Sequence, residues 1–248
     1  MVRLTVLGSC GAFPEPGRAC SGYLLEHDGF RLLVDLGYAV VPRLLELIRA
    51  EDVDAVVISH GHPDHCADLN PLLRARVVRD DPAPPLPVYA PPGALDAVLA
   101  LDRPGMLDAG YALHALADGA DLEIGPYRVQ TRLLPHWLPN AGLRLSAGRR
   151  VVAYTGDGGP SPDVIELARD ADLLLAEASY VDEVPEDSRD YLSSARVQGR
   201  QAAAAGAHRL LLTHLLPGVD AAAAQDVARV EYGGEVGLAT PGLVVELG

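Results

Sequence analysis

Lysine is absent from this chain of 248 residues, and all 20 of its basic residues are arginine, set against 34 acidic ones for a formal net charge of −14. A protein that grips long nucleic acid through its backbone needs a basic surface, because neutralising phosphates supplies most of that binding energy. The one arginine cluster, Arg74, Arg76 and Arg79, is followed at once by Asp80 and Asp81. Long RNA or DNA is therefore not an expected partner, and neither is an anionic membrane surface. The missing lysine, with abundant alanine, reads as a compositional bias of the source genome. Cysteine is scarce too. Cys10, Cys20 and Cys66 are odd in number and far apart, which argues against a disulfide framework and for a reducing, cytoplasmic setting. No run of about 18 apolar residues is present, so no transmembrane helix is predicted. The opening MVRLTVLGSCG lacks the basic, apolar and cleavage segments of a signal peptide. A hydrophobic fraction of 49% is enough for one large α/β domain over residues 1–248.

What the chain does have is concentrated in VDAVVISHGHPDHCAD, residues Val53 to Asp68. Val53, Val56, Val57 and Ile58 read as a buried strand that runs directly into a loop bearing His60, His62, Asp64 and His65. Neutral imidazole and carboxylate oxygen are common ligands of zinc and similar divalent ions. A loop at the C-terminal end of a rigid strand is where α/β proteins tend to place their chemistry.

Along the rest of the chain, Arg3 to Leu7 is β-prone, and two strands, Gly22 to His27 and Arg31 to Asp35, meet at the hairpin signal Asp28-Gly29. Helical spacing predicts helices over Val41 to Ala50, Asp68 to Arg79, Gly93 to Leu101, Asp163 to Arg169, Ser193 to Ala205 and Asp220 to Val230. Further strands are expected at Val88 to Ala90, Asp121 to Ile124, Tyr127 to Leu134, Leu143 to Leu145, Val151 to Tyr154, Ala171 to Ala176, His208 to Thr213, Glu235 to Leu238 and Leu243 to Leu247. Residues Arg103 to Asp118 read as irregular and are expected near a pocket mouth. One pattern recurs. His60, His136, Asp157 and His214 each follow an apolar, β-prone run, so four strands each deliver a metal-type ligand at the same kind of place. His27, His114 and His208 lack that context and read as ordinary.

With LGSCGAFPEPGR at the start, Asp35 in LLVDLG, the SHGHPDH loop, His136, Asp157 in TGDGG and His214 in LTHLLPG, the chain resembles the metallo-β-lactamase superfamily, and within it the ribonuclease Z-like phosphodiesterase branch. The resemblance covers essentially the whole length. It implies a four-layer αβ/βα sandwich with two divalent metal ions, zinc first and manganese or iron as alternatives, at one edge of the sheets. His60, His62 and His136 would hold the first ion, Asp64, His65 and His214 the second, and Asp157 would bridge. Asp35 would orient the ligand loop from behind, since ligating imidazoles need an acceptor on their other nitrogen. Asp64 and Asp157 would be the catalytic carboxylates, serving a hydroxide between the ions that attacks phosphorus in line.

Two departures narrow the expectation. Ribonuclease Z enzymes that mature tRNA carry a long arm between the third and fourth motifs, whereas one strand pair fills the span from His136 to Asp157. Many relatives also place a proton-transferring histidine before the last motif; here the slot holds Leu192, with Tyr191 beside it. Either the leaving group needs no strong general acid, or Tyr191, Tyr180, Glu177 or water substitutes. Trp137 is either core or a pocket wall against a ring. Arg18 either steers a phosphate or forms a structural ion pair. Cys66 reads as a small buried hydrophobe, not a further ligand. The expected activity is hydrolysis of a small or cyclic phosphodiester, with a thioesterase or lactonase, or a metal-binding relative with little turnover, as alternatives. A small-molecule substrate is the expected partner. A homodimer is open to the chain through the resemblance alone, because no interface shows in its sequence.

Overall fold

The computed structural model describes residues 1–248. Alternating apolar residues build two seven-stranded mixed sheets. In the first, β1 (Val2–Gly8), β2 (Gly22–His27), β3 (Phe30–Leu36), β4 (Ala55–Val57), β5 (Leu86–Ala90) and β6 (Tyr111–Ala115) lie side by side, with β14 (Val244–Leu247) on the outer edge of β1. The second sheet holds β7 (Asp121–Ile124), β8 (Tyr127–Leu134), β9 (Asn140–Ala147), β10 (Arg150–Tyr154), β11 (Leu173–Glu177), β12 (Arg209–Thr213) and β13 (Glu235–Leu238) in unbroken order. Each sheet is antiparallel in one half and parallel in the other; the change falls at β3–β4 in the first and at β10–β11 in the second. The two sheets thus repeat one plan.

Tyr23, Tyr127, Tyr154 and the inward Leu and Val residues of both sheets form a core between them. Outside the first sheet pack α1 (Val40–Leu45), the one-turn α2 (Pro63–Cys66), α3 (Leu69–Val77) and the short α4 (Asp96–Leu99). Outside the second lie α5 (Pro162–Leu167), α6 (Ala195–Ala205) and α7 (Ala221–Tyr232). The alanine-rich faces of α6 and α7 pack closely against Leu174, Leu210 and Leu212. This is the expected αβ/βα sandwich. Ser194 and Asp220 cap α6 and α7, and Gly206 and Gly233 end them with φ of 66° and 74°.

Three expectations shift. The helix over Val41 to Ala50 stops at Leu45, and a short 3-10 turn at Ala50–Asp52 leads into β4. The helix over Gly93 to Leu101 shrinks to the single turn of α4. The supposedly irregular Arg103 to Asp118 contains β6, whose exposed edge position left it without an apolar pattern.

Two local features aim the site. Asp35 is the extra residue of a β-bulge, because Tyr23 pairs with Val34 and Gly22 already pairs with Leu36. Its φ of 58° is unusual for a non-glycine residue and turns its side chain toward the ligand loop. Gly37 follows at once, and a Cβ there would stand 1.9 Å from the backbone oxygen of Asp64. Only glycine lets the end of β3 lie against α2. Gly37→Ala should therefore cost about 1–3 kcal/mol as an overpacking change and loosen α2. Denaturant unfolding checks this, and a variant as stable as the parent would refute the close approach.

Candidate metal centre

Each strand that carries a proposed ligand ends at the same edge of the sandwich. His60 follows β4, His136 follows β8, Asp157 follows β10 and His214 follows β12. The loop from Ser59 straddles both sheets: Ala141 at the start of β9 donates its N–H to Ser59 O at 2.8 Å. Pro63 opens α2 at its first turn, which brings Asp64 and His65 back toward His60. The donors fall into two groups, His60, His62, His136 and Asp157, and Asp64, His65, Asp157 and His214. Within each group the ligand atoms lie within 4.8 Å of one another. Asp157 belongs to both.

The hydrogen bonds behind the rings fix which nitrogens face inward. Asp35 Oδ2 accepts from Tyr154 Oη at 2.7 Å, from Ser59 Oγ at 2.8 Å and from His65 Nδ1 at 2.7 Å, while Oδ1 accepts Ser59 N–H at 2.7 Å. With its one proton given to Asp35, Ser59 Oγ can only accept from His60 Nδ1 at 3.1 Å. His136 Nδ1 donates to the backbone oxygen of Tyr191 at 2.8 Å, and Ser179 Oγ stands 3.2 Å from His214 Nδ1. The Nε2 atoms of His60, His65 and His136 therefore face the centre, and those of the neutral His60 and His136 rings present bare lone pairs to it. His60 Nε2 and His136 Nε2 each lie 3.0 Å from His62 Nδ1. His65 Nε2 and Asp157 Oδ1, 3.2 Å apart, are buried with no hydrogen-bond partner. Converging lone pairs and orphaned buried acceptors are repulsive unless a cation lies among them. The donor set fits divalent metal ions.

The electrostatics differ across the site. Burial, then the neighbouring His65, pushes the pKa of His60 well below the usual imidazole range. Burial also lowers those of His62 and His136, so these three rings are neutral donors. Burial opposes protonation of His65 and His214 as well, but Asp157, with Asp35 on His65 and Asp64 on His214, outweighs it and raises both. Against the cost of burial, Asp64 and Asp157 are held well below the usual carboxylate range, chiefly by His214 and His65. Both are acceptors at neutral pH.

Several residues around the centre carry no sequence signal. Asn140 is buried and donates to Thr155 O at 3.0 Å and to the backbone oxygen of Asp157, which shapes the TGDGG turn. Ala12 N–H donates to Asp64 Oδ2 at 2.8 Å, bringing the opening loop to the site. Tyr154 and Ser179 support Asp35 and His214 from positions that read as plain strand and loop. Of the residues expected near substrate, Trp137 and Tyr191 stand together beside His136, whose ring centroid is 5.1 Å from that of Trp137. Arg18 is engaged otherwise, in an ion pair with Glu15 on the surface. Cys66 is buried in the core between the first sheet and its helices. Leu192 is buried as well. Glu177 is fully buried, its pKa pushed up to about 7 by burial and by Asp157. Its two oxygens accept Gly158 N–H at 2.7 Å and Ser193 N–H at 3.0 Å.

Comparison with known proteins agrees with this geometry. Residues 30–215 match the family described as Beta-lactamase superfamily domain. A protein of Bacillus subtilis (strain 168) named Probable metallo-hydrolase YhfI is 33% identical over 253 residues, which span 99% of this chain and 100% of that one. The crystal structure of YhfI, described as a metallo-beta-lactamase fold protein, superposes with a TM-score of 0.89 at 31% identity and 98% coverage of both chains. Ribonuclease Z of Mycobacterium marinum (strain ATCC BAA-535 / M) is 29% identical over 268 residues, 96% of each chain. A new diphosphatase from the PhnP family shares the fold at a TM-score of 0.79, 20% identity and coverage of 100% and 98%. Likeness over this length, on this fold, leads to one assignment: the chain belongs to the β-lactamase superfamily, on its ribonuclease Z-like side, and is a metal-dependent hydrolase.

Proposed function

We propose that the protein is a dinuclear phosphodiesterase that cleaves a small or cyclic phosphodiester. The observation that carries this reading is the pair of donor groups sharing Asp157, with a second carboxylate, Asp64, in the more buried group. His60, His62 and His136 would hold one ion and Asp64, His65 and His214 the other, with Asp157 common to both. The nitrogen-rich donor set favours zinc, with manganese or iron as alternatives. Two such ions lower the pKa of a water toward neutrality and neutralise charge developing on phosphoryl oxygens.

The chain's own groups do the rest. Asp64, held by Ala12 N–H and His214, is an ionised acceptor able to orient the attacking water. Asp35 and Ser59 hold the rings of His65 and His60 from behind. Leu192 offers no proton to the leaving oxygen, and both oxygens of Glu177 are committed to backbone N–H groups. A leaving oxygen that departs without a strong acid suits such a site, and the strained ring of a cyclic phosphodiester supplies one. The span between His136 and Asp157 is consumed by the hairpin of β9 and β10, which turns at Gly148 and Arg149. That leaves no arm for tRNA, and the acidic balance agrees with a small-molecule substrate. The name ribonuclease Z among the relatives supports phosphodiester chemistry over the alternative, a thioesterase or lactonase using the same water on a carbonyl carbon. We read residues 1–248 as one hydrolase domain, because both sheets contribute ligands, and as cytoplasmic, because its three buried cysteines are unpaired.

Two predictions follow from these assignments. His60→Ala should lose metal from the first group, and Asp157→Ala should lose it from both; near-full retention by elemental analysis rejects the ligand assignment. The zinc- or manganese-loaded protein should turn over a bis-aryl phosphate. Inertness there with cleavage of thioesters would sink the phosphodiesterase reading, and tight binding of two metals without either reaction would favour a non-catalytic relative. Efficient 3′ trimming of precursor tRNA would overturn the small-substrate reading.

A further inference from the structure

This chain has one tryptophan and only two phenylalanines, yet it does not spend the tryptophan on its core. Trp137 is 48% exposed, directly after a proposed ligand, and Tyr191 beside it is 37% exposed. Their ring centroids are 5.2 Å apart with planes 30° from parallel. The site is also open on this side: His62 and His136 are only half-buried, whereas Asp64, His65, Asp157 and His214 are buried. The pair is fixed to the site by backbone, because Tyr191 O accepts from His136 Nδ1 and Gly159 N–H donates to Pro135 O at 2.9 Å. No arginine hydrogen-bonds or ion-pairs with any of the seven donors, and Arg18 and Arg189 pair with Glu15 and Glu186. The exposed pair beside the open donors is aromatic, which suits apolar and stacking contact with the organic part of a substrate.

We propose that the Trp137–Tyr191 pair is a stacking platform for a nucleobase, so that the diester taken by this site is a nucleoside phosphodiester, with its base on the pair and its phosphorus at the donor cluster. This rests on the phosphodiesterase reading of the same site. Stacking is tolerant of base identity, because every base has a π-face; the platform selects for a planar ring more than for one base. The side chains can be removed without touching the ligand's support, since it is the Tyr191 carbonyl that holds His136.

The sole tryptophan reports directly on the platform. Adenosine 5′-monophosphate titrated into the metal-loaded protein should quench Trp137 fluorescence saturably, and ribose 5-phosphate, which lacks the base, should not. In parallel, Trp137→Ala and Tyr191→Ala should each raise KM for adenosine 3′,5′-cyclic phosphate on the order of tenfold, the scale of one lost stacking contact, and change kcat far less. Trp137→Phe should restore most of the loss. Absent quenching, equal quenching by ribose 5-phosphate, or an unchanged KM overturns the platform. Metal lost from Trp137→Ala, measured by elemental analysis, also overturns it, since the pair would then be a clasp for His136. If no phosphodiester is hydrolysed at all, the phosphodiesterase reading fails, and the fluorescence titration still decides whether the pair binds a base.

Discussion

The carboxylate of Asp35 is the interaction on which the rest of the structure turns. It is fully buried and accepts four hydrogen bonds, two from Ser59 and one each from His65 and Tyr154. Those donors belong to the ligand loop, to α2 and to the opposite sheet. One side chain thus ties the two sheets together and fixes the tautomers of two imidazoles. A charge buried this deeply persists only when its lone pairs are matched. The matching is obtained by the bulge in β3 and the left-handed backbone at Asp35, a strain on the order of 1–3 kcal/mol that the four bonds offset. His214, at the far side of the centre, has a φ of 56°. Backbone strain therefore sits on both flanks of the site, at Asp35 in the bulge of β3 and at His214 just past β12.

From Asp35 outward the electrostatics are ordered. The neutral rings of His60, His62 and His136 face the open edge, and the two carboxylates with His65 and His214 lie deeper. Asp157 spans the boundary, with Oδ1 3.2 Å from His65 Nε2, and Oδ2 3.2 Å from His214 Nε2 and 3.8 Å from His60 Nε2. Both carboxylates thus lie in the more buried half, where water screens their charge least. Cations would be held most firmly where they are least accessible, and substrate would meet the half that is less charged and more open.

The proposed ligands are legible in the sequence because their signals are local. A buried strand followed by several His and Asp residues is visible in one window, and His136, Asp157 and His214 each repeat that pattern. The strands of the parallel halves were legible for the same reason: β10, β11 and β12 are nearly continuous apolar runs bounded by turns. What stayed hidden is what depends on contacts distant in sequence. Asn140, Ser179 and Tyr154 look like ordinary loop and strand residues until the fold sets them behind Asp157, His214 and Asp35. Residues around β6 lacked periodicity because an edge strand has little to bury. The helices at Val41 and Gly93 were overextended because apolar spacing continues past the point where packing against the first sheet stops supporting a helix. The shared plan of the two sheets shows in the sequence only as a loose likeness of its strand-rich halves, since it resides in pairing and not in residue identity.

The segment before α6 shows how a site can keep its architecture while one of its chemical roles is vacated. By resemblance, this is where relatives carry a histidine for proton transfer, and here Leu192 turns inward. The segment is nevertheless held on both sides of that position. Tyr191 O fixes the ring of His136, and Ser193 N–H binds Glu177, which in turn holds Gly158 beside Asp157. Both contacts run through the backbone, so neither depends on the residue at position 192. Substituting the side chain therefore removes a proton donor without disturbing a ligand. The constraint that survives is geometric, and it falls on the path of the chain from Ser188 to Ser194.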